Sequence, residues 1–85
     1  MNTIFILVVF TCKEGITTIE TTLFNSLIDA RVGLSEELKY QEKTAPKELG
    51  IYDGFFGDSH YWFEVGETSD NYWCRAEIQK KTINA

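Results

Sequence analysis

The sequence predicts an α+β fold: a small antiparallel four-stranded sheet with one helix, continuous or broken at Gly33, on one face, in the order β-β-α-β-β. Three observations lead there. The run Ile4 to Phe10 is apolar throughout and mostly β-branched or aromatic, which suits a covered pleated surface. Leu27, Ile28, Ala30, Leu34 and Leu38 form a stripe near helical spacing behind Ser26. His60 to Val65 and Tyr72 to Gln79 alternate between a core-like set and a mixed set, the period of two of a strand.

The first strand, Thr3 to Cys12, is the expected centre. Ile4, Ile6, Val8 and Phe10 point to one side and Phe5, Leu7 and Val9 to the other. A strand with one wet face would alternate with polar residues, so both faces are expected to be covered. What covers the second is the main structural question. Lys13-Glu14-Gly15 suits a hairpin connection with Gly in the left-handed position. Ile16 to Leu23 then reads as a second strand. A helix competes, because Ile16, Ile19, Leu23 and Leu27 lie near helical spacing and Thr17 with Glu20 could form a capping box. Thr17, Thr18, Thr21 and Thr22 weigh against it.

Ser26 with Asp29 resembles a capping box and starts the helix. Gly33 either kinks the helix or ends it, with Ser35 capping a second. Glu36, Glu37, Lys39, Glu42 and Lys43 form the solvated face, and Pro46 stops the helix by about Thr44.

Residues Thr44 to Ser59 read as a loop. They hold the only Pro, together with Gly50, Gly54 and Gly57, and Asp53-Gly54 is a turn signal. The apolar load of Leu49, Ile51, Tyr52, Phe55 and Phe56 says this loop packs on its own sheet or on a partner. In the third strand, His60 to Val65, Tyr61, Phe63 and Val65 should face the helix, with His60, Trp62 and Glu64 behind. In the fourth, Tyr72, Cys74, Ala76 and Ile78 oppose Trp73, Arg75, Glu77 and Gln79. Gly66 to Asn71 is a polar turn, and residues 80–85 read as a frayed tail.

The 85 residues suit a single domain with a modest core. A formal net charge of −5 argues against direct nucleic-acid binding, which draws on Lys and Arg. It favours approach to a basic protein surface. The apolar stretch of seven residues at the start lacks a preceding Lys or Arg, and no run reaches the length of a membrane span. The expectation is a cytoplasmic protein that does not associate with membranes. Cys12 and Cys74 match no metal spacing and read as buried thiols; a disulfide would need adjacent strands and an oxidising compartment.

No phosphate-binding loop, dinucleotide fingerprint, HExxH or CxxC occurs. Asp58-Ser59-His60 holds the letters of a triad, but strand neighbours point to opposite faces and cannot converge. No carboxylate pair is fixed at a catalytic separation, and Glu67 to Asn71 is too short for an EF-hand loop. The expectation is a non-enzyme with no cofactor or metal.

One region stands above background. Between Glu48 and Asp70 lie six acidic residues and no Lys or Arg, interleaved with Tyr52, Phe55, Phe56, Tyr61, Trp62 and Phe63. Aromatics anchor interfaces, and acids around them steer association. The candidate partner-binding residues are Asp53, Phe55, Phe56, Asp58, His60, Trp62, Glu64, Glu67, Asp70 and Trp73. The competing reading is a core-packing loop with an ordinary acidic rim. The function that fits best is a small acidic inhibitor or regulator, of the kind carried by phages and mobile elements, occluding a basic surface of a target protein. The alternative is a homodimer in which a second copy covers the first strand, Trp62 and Trp73. A single-strand nucleic-acid binder using an aromatic sheet face ranks last.

Overall fold

A computed structural model describes residues 2–56, 60–67 and 71–83. The strands are β1 (Asn2–Lys13), β2 (Ile16–Phe24), β3 (Ile51–Phe56), β4 (His60–Val65) and β5 (Tyr72–Ile83), with α1 (Leu27–Thr44) between β2 and β3. They form one antiparallel sheet in the order β2-β1-β5-β4-β3. The helix therefore connects one edge of the sheet to the other.

Five strands replace the four that the sequence suggested. The extra one, β3, lies inside the segment read as a loop. Asp53-Gly54 acted as a decoy. Gly54 is not in a turn but in mid-strand opposite Trp62, and a Cβ there would stand 3.0 Å from Trp62 Cζ2. The glycine makes room for the indole on the neighbouring strand.

Two further expectations are corrected. Residues 80–83 are not frayed: β5 runs to Ile83, and Lys80 to Ile83 pair in register with Phe5 to Asn2. The helix is one element and does not split at Gly33. Gly33 serves packing instead, since a Cβ there would come 2.9 Å from Phe24 Cζ and 3.4 Å from Leu7 Cδ2. Other local features follow the sequence signals. Ile16 to Phe24 is a strand. Ser26 Oγ accepts from the Asp29 backbone N–H at 3.1 Å, and the helix ends at Thr44, before extended Ala45 and Pro46.

The β1–β2 connection is tighter than a three-residue loop. Lys13 pairs with Ile16, leaving Glu14 and Gly15 at φ 52° and 81°, the positive values of a two-residue type I′ turn. The Glu14 N–H donates to Asn71 O at 2.9 Å, tying this turn to the β4–β5 connection.

The core lies between α1 and one sheet face. Leu7, Phe63, Val65, Cys74, Ala76 and Ile78 are buried there against Ala30, Leu27, Leu34 and Leu38, with Phe5, Val9 and Phe24 around them. The molecule measures 44 × 21 × 19 Å. Its twelve-residue strands β1 and β5 reach about 40 Å at ~3.3 Å per residue. The eighteen-residue helix reaches only about 27 Å. One helix thus covers part of one face.

Candidate functional site

The opposite face of the sheet has no helix or loop over it among the described residues. Strand alternation assigns its side chains. β1 contributes Ile4, Ile6, Val8, Phe10 and Cys12, all half-buried by their in-plane neighbours. Register places Phe10 between Ile19 and Arg75, Val8 between Thr21 and Glu77, and Ile6 between Leu23 and Gln79. Ile19 and Leu23 are 61% and 66% exposed. The expectation that β1 is covered on both sides is therefore only half met.

This open face has an apolar half and a charged half. β1 and β2 supply the aliphatic row. On the other side, Arg75 Nη1 lies 2.9 Å from Glu64 Oε2 and Arg75 Nε lies 3.9 Å from Glu77 Oε1. The same guanidinium stacks 5.1 Å from the Trp62 ring centroid. Trp73 meets Phe10 edge-on, with centroids 5.0 Å apart and planes at 65°, a favoured aromatic geometry. Trp73 Nε1 is buried without a hydrogen-bond partner among the described residues.

Of the residues expected to form one acidic-aromatic surface, Trp62, Glu64 and Trp73 share this face. Asp53 does not. It pairs with Phe63 in the β3–β4 ladder and so sits on the helix side. There it lines a groove of about 450 Å³ with Arg31, Leu34, Leu38 and Tyr61. Arg31 lies 4.5 Å over the Tyr61 ring, so a cation stands within the region that looked purely acidic. Glu67 is exposed just beyond β4. Asp58 and Asp70 lie outside the described residues, as does Ser59 of the Asp58-Ser59-His60 run. Phe55, Phe56 and His60 belong to β3 and β4 by backbone, and their side chains also fall outside the description. Sequence reasoning missed Ile19 and Leu23 as surface residues. The signal was present in the doubly apolar β1, whose neighbours had to share its open face.

A second groove of about 500 Å³ lies on the helix side, where α1 leaves β1 and β2 partly bare. Glu20, Glu37, Tyr40, Gln41 and Tyr72 line it. Glu37 is half-buried here and not on the solvated face, because Gln41 Nε2 donates to its Oε1 at 3.2 Å. The Tyr72 hydroxyl donates to Gln41 Oε1. Burial pushes the Tyr72 hydroxyl pKa above its usual value, despite that hydrogen bond. Tyr72, Gln41 and Glu37 thus form one hydrogen-bonded chain.

The cysteines sit in adjacent strands but on opposite faces: Thr11 pairs with Cys74, and Cys12 with Trp73. Both thiols are free, and the one-residue offset explains why no bridge forms. Burial pushes the Cys74 thiol up to about 11, although Thr11 Oγ1 donates to its sulfur at 3.8 Å. A reactive thiol needs the opposite shift. Among the described residues, no three His, Cys, Asp or Glu side chains are grouped to hold a metal ion. Nor is any helix long and apolar enough to cross a membrane.

No family model, curated protein or solved structure matches this chain.

Proposed function

We propose that this protein is a non-enzymatic binding module that docks a partner protein on its open sheet face and so inhibits or regulates it. The observation that supports this reading is the row Ile4, Ile6, Val8 and Phe10, which continues into exposed Ile19 and Leu23 with no element over it among the described residues. Contiguous apolar surface bordered by polar residues is characteristic of interaction sites. Trp62, Trp73 and Arg75 are of the residue types that most often anchor such contacts. The formal net charge of −5 favours a basic partner surface and a salt-sensitive association. The site proposed here differs from the loop-centred one that the sequence suggested: it lies mainly on β1 and β2, with Trp62, Glu64 and Trp73 at its charged border.

Affinity capture from a host lysate at low and high salt tests the proposal, using wild type, Val8→Lys on the open face and Lys39→Glu on the exposed side of α1. The expected result is one protein held by wild type and Lys39→Glu, released by high salt, and at least tenfold depleted with folded Val8→Lys. A protein held equally by Val8→Lys and lost with Lys39→Glu would move the site to the helix and overturn the proposal.

A further inference from the structure

β2 closes one side of the sheet, and it lacks the features that usually guard an edge. It is nine residues long and contains no Pro or Lys, with Glu20 as its only charge. Its register with β1 is unbroken from Phe24 to Ile16, so no bulge turns it away. Every residue except Phe24 is exposed. Natural edges are generally short, charged, bulged or covered. The other edge, β3, fits that rule better, with six residues that include Asp53 and Gly54.

The hairpin fixes which backbone groups face outward. With a two-residue turn, Lys13 and Ile16 form a hydrogen-bonded pair, and bonded and non-bonded pairs then alternate. Thr17, Ile19, Thr21 and Leu23 therefore turn their N–H and C=O groups away from β1. Their side chains lie on the open face, where Ile19 and Leu23 are mostly exposed.

We infer that β2 pairs antiparallel with β2 of a second copy of this chain, about a two-fold axis through Thr21. That register sets Ile19 opposite Leu23 of the other copy, twice by symmetry, and Thr21 opposite its own equivalent. Each of these pairs joins outward-facing backbone groups, so each exchanges both hydrogen bonds. Cross-strand aliphatic and Thr–Thr pairs stabilise a ladder. A register centred one residue earlier would set Glu20 against Glu20, and like charges directly opposite are unfavourable. The self-complementary spacing of Ile19 and Leu23 about Thr21 is what selects a second copy over an unrelated strand. Opposed residues point to the same side, so both helices lie on one face and the two open faces become continuous. The docking surface proposed above is then doubled without being covered.

The test is the solution mass of the full chain by light scattering from low to high micromolar concentration. Thr21→Pro removes an N–H that points outward and should spare the β1 ladder. The double variant Ile19→Lys/Leu23→Lys sets lysines opposite each other in the paired register. Val8→Lys alters the open face but not the edge. Wild type and Val8→Lys are expected to be dimers. Thr21→Pro and the double variant are expected to be folded monomers, with dimerisation weakened at least tenfold. If Thr21→Pro fails to fold, the double variant decides. A monomeric wild type overturns the inference, as does a dimer that survives the edge variants. A dimer dissolved by Val8→Lys alone would also overturn it, because the contact would then be face to face. Partner capture is measured separately, so the docking proposal can stand or fall independently.

Discussion

Cys74 shows how one residue's position fixes its chemistry. It is fully buried in the strand at the centre of the sheet, between helix and ladder. Burial penalises the thiolate and raises the pKa from an ordinary value near 9 to about 11. The folded state therefore holds this proton more tightly than the unfolded chain. The resulting stability is fully present below about pH 9 and is lost as pH rises through about 11. A shift of this size corresponds to about 2–3 kcal/mol. The Tyr72 shift has the same sign and the same first cause, burial, so it adds to the loss as pH rises past the ordinary tyrosine value near 10. Urea unfolding at pH 8 and pH 11 checks this: wild type should lose more stability than Cys74→Ala. Equal losses would mean that the buried thiol does not contribute.

At the scale of elements, legibility depended on whether a signal was local. Ser26, Pro46 and the alternation of β4 and β5 act within a few residues, and the structure follows each of them. β3 was not legible, because Gly54 serves a neighbour in space and not its own turn. Likewise, nothing in the residues after Gln79 announces a strand; Lys80 to Ile83 become one because the start of β1 offers a ladder. The role of Gly54 predicts a cost for filling it. Gly54→Val puts two methyl groups where the Trp62 ring lies, and forced overpacking costs about 1–3 kcal/mol. The variant should unfold at lower urea and show altered tryptophan fluorescence. Unchanged stability and fluorescence would mean that Trp62 does not rest on that glycine.

For the whole molecule, the central problem is a strand apolar on both sides in a sheet where, among the described residues, a single helix covers part of one face. The sequence revealed the problem but not its outcome, because apolar side chains are alike whether they await a helix, a partner or solvent. Position in the finished sheet distinguishes them. Leu7 is 6% exposed beneath α1, whereas Val8, the next residue, is only half-buried on the open face. The two should therefore differ sharply in how much they matter to folding. Leu7→Ala removes packed core atoms and leaves a cavity, at a cost of about 2–5 kcal/mol. Val8→Thr keeps the β-branched shape and loses little buried contact, so its cost in dilute solution should stay within about 1 kcal/mol. Urea unfolding of both variants at low micromolar concentration makes the comparison. A large cost for Val8→Thr at every concentration would mean that the chain itself covers the second face. A cost that appears only at high concentration would mean that a second copy sits on that face, contrary to edge pairing through β2. A small cost throughout is the result expected of a face kept open for a partner.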